Sequence, residues 1–313
     1  MKKFLIFLFI VMLIPIYLYL KENTSFLDKP VSRKYLFARG TEKQIRYFLE
    51  EPDHEVKLSD YHYVIILNRI DILKIMLKEY GHTANYDGYY LWSPLTFAAE
   101  ELKRQAVEIL VKYGANVNFV DEYGNSALIY ALQAVSYMTS FQYSSREIVK
   151  TLVEAGADVN IEGKWHTPLG AAIYSRDMNI VKYLVANGAD LNYLSKSHSN
   201  YLSSCITIEC TKYLLEKGLD VNLLNNRGEN ILPISVLIPS NDIDEVKLLI
   251  ESGANVCNID KEGNNILRHA EEGDLNPHLQ KDNPEFYQNK LIEHRNTEVY
   301  KYIKKIYQDR CIN

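Results

Sequence analysis

Cysteine and histidine are the residues of this chain with the widest chemical range, because both bind metal ions and cysteine also forms disulfides. The sequence contains four Cys and eight His among its 313 residues. The histidines are scattered: neither His54 with His62 nor His82 with His166 has the spacing of a metal-binding motif. We therefore expect neither a metal site nor a cofactor.

Motifs of known catalytic chemistry are absent from the sequence. It contains no Gly-x-Ser-x-Gly elbow, no Gly-x-x-x-x-Gly-Lys-(Ser/Thr) phosphate loop, no His-Glu-x-x-His and no Cys-x-x-Cys. Asp53, Asp60 and Asp87 flank loops, and we interpret them as solvated turn residues rather than as an acid pair. We expect the protein not to be an enzyme; the alternative is an active site within the polar segment 272–293.

The composition is that of a folded chain without an affinity for nucleic acid. Apolar residues make up 47% and charged residues 24% of the sequence, which excludes wholesale disorder. The 35 basic and 40 acidic side chains give a net charge of −5. Since nucleic-acid binding needs an excess of basic charge, we expect no nucleic-acid partner.

The beginning of the chain has the pattern of a membrane-targeting segment. Residues 4–20 form an unbroken apolar run preceded by Lys2 and Lys3, and this length is at the short end of what spans a bilayer. Because no small-x-small cleavage site follows, we favour an uncleaved signal anchor over residues 1–23. The alternatives are a cleaved signal peptide and a buried helix in the core of a soluble protein. A linker over residues 24–30 follows. We predict a single-pass inner-membrane protein with its main domain in the periplasm, or, after cleavage, a periplasmic or secreted one.

A five-residue motif, Gly-Ala-(Asn/Asp)-(Val/Leu)-Asn, recurs through the rest of the chain. Full or near copies begin at Gly81, Gly114, Gly156, Gly188, Gly218 and Gly253. Successive glycines lie 30 to 42 residues apart, and most intervals are close to 33 residues. A fixed period of this length indicates an array of stacked structural repeats.

Two helix patterns lie between successive glycines. The first opens with Ser93-Pro94-Leu95 or Thr167-Pro168-Leu169, in which Ser or Thr caps the helix and Pro occupies its first turn. The second has apolar residues at helical spacing, such as Ile180, Val181 and Leu184. The glycine ends this helix, where a left-handed conformation costs it little, and the closing Asn begins the turn to the next unit.

These two motifs, kept in phase over five units, resemble the ankyrin repeat, whose signature is Thr-Pro-Leu-His-x-Ala before a Gly-Ala-Asp-Val-Asn-like close. The resemblance implies an all-α solenoid of stacked helix-turn-helix units with short β-turn loops over residues 31–313, preceded by the N-terminal hydrophobic helix. We expect about eight units, with degenerate ends and insertions near 138–145 and 272–293. The signature His is replaced in every unit, and Leu102 and Arg176 replace the glycine between helices.

The resemblance also implies where a partner binds, because ankyrin-like proteins use their loop tips and the concave face of their first helices. The predicted binding residues are loop aromatics and variable first-helix positions: Tyr86, Tyr89, Tyr90, Trp92, Phe119, Tyr123, Trp165 and Tyr193, with Glu100, Glu101 and Tyr174. Aromatic residues dominate binding hot spots, and we expect Trp165 to form one with Phe119 and Tyr123. The alternative is that some of these rings pack on the adjacent unit.

Export would permit disulfides between the four cysteines. Cys257 lies in the turn entering the last unit and Cys311 follows that unit's second helix, so both lie at the loop-bearing end of an antiparallel pair. Cys205 and Cys210 flank a short connection between two helices and form the second permitted pair. For Cys210 we favour the alternative that it fills an apolar helix position without a bond.

These expectations combine into a non-enzymatic protein-binding module, tethered through residues 4–20 and facing the periplasm. Its richness in Lys, Ile, Asn and Tyr is typical of an AT-rich bacterium. Exported bacterial ankyrin-like proteins include some that neutralise a secreted toxin such as a phospholipase, so the resemblance admits an immunity protein. The alternative is an envelope scaffold that organises or protects a periplasmic enzyme.

Overall fold

The computed structural model describes residues 33–51, 56–79, 84–85, 93–134, 142–163, 166–194, 201–232, 243–272 and 297–312. It divides the chain into two compact units, Met1–Thr83 and Ala84–Asn313. The predicted anchor and linker lie outside the described residues. None of the helices that are described has both the length and the apolar character needed to cross a bilayer.

The described residues of the first unit form two helix pairs. Its helices are α1 (Arg33–Arg39), α2 (Glu42–Glu50), α3 (Leu58–Ile66) and α4 (Ile70–Lys78). Phe37, Ile45 and Leu73 are fully buried between them. Because each helix exposes one polar face and turns an apolar face inwards, the pairs form a layered core of the kind that the repeat pattern predicts.

The interpretation of Asp60 as a solvated turn residue is wrong. Its side chain is fully buried in the first turn of α3, where a carboxylate oxygen accepts a hydrogen bond from the backbone N–H of Lys57 at 2.7 Å. Arg33 donates to the same carboxylate from Nε at 2.8 Å and from Nη2 at 2.7 Å. The sequence could not indicate this ion pair, since its partners are 27 residues apart.

The described part of the second unit also consists largely of helix pairs. Its helices are α5 (Pro94–Glu100), α6 (Arg104–Lys112), α7 (Ala127–Gln133), α8 (Gln142–Glu154), α9 (Pro168–Tyr174), α10 (Met178–Ala186), α11 (Ile208–Glu216), α12 (Ile243–Glu251), α13 (Ile266–Glu272) and α14 (Glu298–Tyr307). A 3₁₀ helix, Tyr201–Ser204, precedes α11, and a π-helical turn, Gln308–Ile312, follows α14.

The first helices of successive repeats stack on one another. Helix α5 packs on α7 and α7 on α9, and the fully buried Ala98 and Ala172 let the helices approach closely. Ser93 and Thr167 cap α5 and α9, each accepting a hydrogen bond from the backbone N–H three residues on. In the described residues, β pairing is confined to isolated bridges. The predicted all-helical repeat fold is confirmed.

The two predicted insertions are only partly described. Residues 138–141 and 273–293 lie outside the described part of the chain. The rest of the first insertion, residues 142–145, forms the opening turn of α8, which is 13 residues long where the other second helices of the unit have 9 or 10. Part of that insertion therefore lengthens a helix.

Leu102 and Arg176, which replace the usual glycine between the helices of a pair, keep the backbone conformation of that glycine. Their φ angles are 51° and 58°, in the left-handed region that non-glycine residues rarely adopt. The sharp reversal between α5 and α6, and between α9 and α10, therefore forms without glycine. Each site bears a steric cost of about 1 kcal/mol, which the surrounding helix packing offsets.

A ladder of asparagine side chains joins the closing turn of each repeat to the next repeat. Asn118 donates from Nδ2 to the carbonyl of Gly156 at 3.0 Å and accepts at Oδ1 from the N–H of Asp158 at 2.7 Å. Asn85, Asn160 and Asn222 make the equivalent pair of contacts, and Asn192 makes the second of them. The Asn that the sequence indicates only as a turn former thus also bridges neighbouring repeats.

Cys257 occupies the next position of this ladder, four residues after Gly253. In place of an amide bridge it forms a disulfide with Cys311, which follows α14. A covalent bond therefore holds the last repeat where hydrogen bonds hold the earlier ones. The structure also joins Cys205 to Cys210, so Cys210 is both buried and bonded, and the favoured interpretation of an unbonded Cys210 does not match the structure.

Candidate protein-binding surface

Three side chains occupy the same register in successive first helices. Glu100, Gln133 and Tyr174 each lie seven residues after the capping Ser93, Ser126 or Thr167. Because α5, α7 and α9 stack in that order, these residues form one row across three repeats, which we call the inner row. Glu100 and Tyr174 belong to the surface that the sequence predicts for partner binding, and Gln133 is added by the stacking of the helices.

Tyr174 is the aromatic residue of the inner row, and it is exposed. Its side chain is 63% exposed, although it is the last residue of a helix whose other residues are all buried. The ring stacks on His166, with centroids 5.7 Å apart and planes inclined by 21°. Burial lowers the pKa of His166. The Tyr174 ring therefore stacks on a neutral imidazole at pH 7.

A hydrogen-bonded turn presents Tyr123 near the start of the inner row, since Asp121 of this turn is close enough to Glu100 to raise the pKa of that carboxyl. The carboxylate of Asp121 accepts hydrogen bonds from the backbone N–H groups of Tyr123 and Asn125, both at 2.9 Å. The hydroxyl of Tyr130 in α7 donates to the other oxygen of Asp121. This network fixes the turn on its own first helix, leaving Tyr123 42% exposed and the aliphatic Val120 exposed next to it.

The start of the inner row is acidic. Burial, followed by the nearby carboxylates of Glu101 and Asp121, raises the pKa of Glu100 to about 7. Glu101 is exposed one residue further on. A basic group from a partner would favour the ionised form of Glu100, since an opposite charge at short range offsets the cost of burial.

The other predicted residues divide into two groups. Phe119 and Tyr193 are half-buried, and the ring of Tyr193 stacks on Tyr201 with centroids 6.4 Å apart. Since Tyr201 belongs to the following repeat, the stacking of Tyr193 agrees with the alternative that some of these rings pack on the adjacent unit. The remaining predicted aromatics lie outside the described residues, and their place in the binding surface stays a prediction: Tyr86, Tyr89, Tyr90, Trp92 and Trp165.

One cluster of polar side chains was missed at the sequence level. Glu229, Asp260 and His269 lie at the junction of two successive repeats, with their ligand-type atoms within 4.8 Å of one another. Their spacing of 31 and 9 residues matches no short metal motif. Aligning the repeats could have drawn attention to the cluster, because Asp260 and His269 occupy the positions of Asp121 and Tyr130 of an earlier repeat.

The comparison with protein families decides the classification. The family model for ankyrin repeats (three copies) matches residues 61–162 and 136–225, which together span more than half of the chain. The chain belongs to the ankyrin-repeat family. Ankyrin repeats are protein-binding units and typically carry no catalytic chemistry, which agrees with the surface described above.

Among curated ankyrin-repeat proteins, the human Ankyrin repeat and SOCS box protein 6 is 30% identical over 104 residues, which are 33% of this chain. The match covers only 24% of that relative's length. Because so little of the relative is covered, the match concerns its ankyrin repeats alone.

Solved ankyrin-repeat structures match over more of the chain. The ankyrin repeat domain of Bcl-3 superposes with a TM-score of 0.58 at 19% identity, covering 67% of this chain and 92% of that domain. A chain from the complex of the Bd0816 predatory endopeptidase of Bdellovibrio bacteriovorus with immunity protein Bd3460 gives a TM-score of 0.51 at 19% identity, covering 67% of this chain and 96% of the other. At such low identity these similarities show the ankyrin fold alone.

Proposed function

We propose that this ankyrin-repeat protein acts by binding a partner protein through the inner row and the adjacent Tyr123 turn. The observation that carries the proposal is that Tyr174 is exposed although the other residues of its helix, α9, are buried. A large, exposed aromatic ring on a rigid element has the properties of a binding hot spot, because little conformational entropy is lost when a partner covers it.

We further propose that the protein is held in the bacterial inner membrane by residues 4–20, with its repeats in the periplasm. The two disulfides support this location, since such bonds persist in the periplasm and are rare in the cytosol. In this setting the protein neutralises a secreted toxin, such as a phospholipase, by covering it. The structural similarity to a chain of an endopeptidase–immunity protein complex makes this role worth testing.

Replacing Tyr174 with alanine is expected to abolish protection while leaving the fold intact. Truncation of a hot-spot residue costs about 2 kcal/mol or more, or roughly a thirtyfold loss of affinity. A deletion strain should be killed in co-culture with its toxin-secreting parent, and the wild-type gene should restore survival. The Tyr174→Ala gene should not restore it, although the melting temperature of the variant protein is unchanged.

Tyr143→Ala is the matched control. Tyr143 is equally exposed, at 66%, but lies on the second-helix layer in α8 rather than on the inner row. This variant should protect as well as the wild type. Survival of the deletion strain would contradict the immunity role and favour the scaffold alternative; equal loss of protection in both variants would contradict the assignment of the surface.

The proposed topology predicts the behaviour of reporter fusions. Alkaline phosphatase is active only outside the cytoplasm, so a fusion after residue 313 should be active and should sediment with the membrane fraction. A cytoplasmic reporter at the same position should be silent. An inactive phosphatase fusion would contradict the periplasmic location, and an active but soluble product starting near residue 24 would show that the segment is cleaved.

A further inference from the structure

Three potential metal ligands converge between the last two repeats. His269 Nε2 lies 3.2 Å from Asp260 Oδ2 and 3.8 Å from Glu229 Oε1. In a tetrahedral zinc site the ligand atoms lie about 3.3 Å apart, as bonds of about 2.0–2.1 Å require. The two measured distances are therefore close to the ligand-to-ligand distance of a tetrahedral site. Small side-chain movements would place all three residues at ligand positions.

The carboxylates are held in place by their second oxygen atoms. Oδ1 of Asp260 accepts hydrogen bonds from the backbone N–H groups of Glu262 at 2.9 Å and Asn264 at 2.7 Å. Oε2 of Glu229 accepts from Nδ2 of Asn225 at 2.7 Å. Oδ2 of Asp260 also accepts from Nδ2 of Asn264 at 3.0 Å, and both this oxygen and Glu229 Oε1 lie close to Nε2 of His269. Anchoring of ligand carboxylates by outer hydrogen bonds is typical of metal sites.

The cluster carries an excess of negative charge in a buried position. The side chains of Glu229 and Asp260 are 9% and 4% exposed, and that of His269 is 17% exposed. Two ionised carboxylates outnumber one imidazole even when the imidazole is protonated. Since buried charge is costly without compensation, a divalent cation would fit this position better than a proton on His269.

An earlier repeat shows the same turn without this cluster. Asp121 accepts two backbone N–H groups as Asp260 does, but the residue at the position of His269 is Tyr130, whose hydroxyl donates to Asp121. The residue at the position of Glu229 in the preceding turn is Trp92. The fold of the turn therefore requires neither the histidine nor the glutamate, and their joint presence near Asp260 needs another explanation.

We propose that Glu229, Asp260 and His269 bind a Zn²⁺ ion, with water as the fourth ligand. An imidazole with two carboxylates suits zinc better than magnesium or calcium, which prefer oxygen ligands alone and six or more of them. The ion would link the turn that carries Glu229 to the turn and first helix of the following repeat, where Asn258 and Lys261 already bridge to that turn. Its role is to fasten the C-terminal repeat.

His269→Tyr is the decisive variant, because it copies the arrangement of Asp121 and Tyr130 and keeps a hydrogen-bond donor to Asp260. The full-length protein is purified in detergent without a polyhistidine tag and is stripped with a chelator. Calorimetric titration with Zn²⁺ should give one site in the wild type. Affinity should fall at least about tenfold in His269→Tyr and in Glu229→Gln, as loss of a ligand requires.

Three outcomes would overturn the proposal. One is the absence of stoichiometric zinc binding to the wild type, which would leave the cluster as a hydrogen-bonded contact between repeats. The second is equal affinity in the wild type and both variants, and the third is competition by Ca²⁺ or Mg²⁺ at similar concentrations. If His269→Tyr fails to fold, Glu229→Gln provides the same test. As a separate readout, Co²⁺ should give the visible absorption of a tetrahedral site in the wild type only.

Discussion

Replacing both Cys257 and Cys311 with alanine is expected to lower the stability of the C-terminal repeat by about 4 kcal/mol, the chain-entropy value for a disulfide that joins residues 54 positions apart. The bond also takes the place of an asparagine bridge at this end of the ladder. Without it, the described contacts that hold α14 are its packing on α12 and α13 and the hydrogen bonds of Tyr300 with Glu271 and of Tyr307 with Asn265. We therefore expect α14 to separate from the stack before the remaining repeats unfold.

Hydrogen exchange measures this effect locally. Backbone amides of α14 should exchange much faster in the double variant, whereas those of α5 to α10 should keep the wild-type rates. The matched control replaces Cys205 and Cys210 with alanine; this disulfide spans only five residues and lies in another repeat. Faster exchange of α14 in the control, or unchanged exchange in the Cys257 and Cys311 variant, would show that the Cys257–Cys311 disulfide does not fasten the last repeat.

Replacing Arg146 with methionine is expected to cost about 3 kcal/mol, because it leaves a buried carboxylate without its countercharge. Asp177 has a fully buried side chain and caps α10, accepting the backbone N–H groups of Asn179 and Ile180. Arg146 in α8 donates to the other oxygen at 2.7 Å. Methionine keeps most of the aliphatic part of the arginine side chain, so the loss of stability comes chiefly from the broken ion pair.

Urea unfolding of the variant provides the measurement, and Arg104→Met provides the control. Arg104 pairs with Glu108 on the surface of α6, where both side chains are nearly half exposed. Exposed pairs of this type contribute about 0.2–0.5 kcal/mol. The Arg146 variant should therefore unfold at clearly lower urea concentration than the Arg104 variant. Similar midpoints would mean that water solvates Asp177 once the arginine is removed.

The candidate binding surface could be predicted only in part. Tyr174 and Tyr123 are exposed as the loop and first-helix positions indicate, because the repeat register alone places them at the edge of the core. Phe119 and Tyr193 are half-buried, since whether a loop ring packs on its neighbour depends on the path of the adjacent loop. Periodicity does not specify that path, because loops vary in length and composition between repeats.

The sequence by itself determined the repeat unit, its helix pairs, the caps Ser93 and Thr167 and the family. These features arise from interactions between residues a few positions apart, which recur with a fixed period and so leave a visible pattern. Tertiary structure alone decided the burial of Asp60 and Asp177 against arginines, the bonding of Cys210, the bridging role of the asparagines and the convergence of Glu229 with His269. The Cys210 bond depends on the path of the short connection from Cys205, and each of the others depends on how one repeat packs against another. Stacking brings together residues about 30 positions apart. Local propensities do not specify which of these residues will form an ion pair, a hydrogen bond or a disulfide.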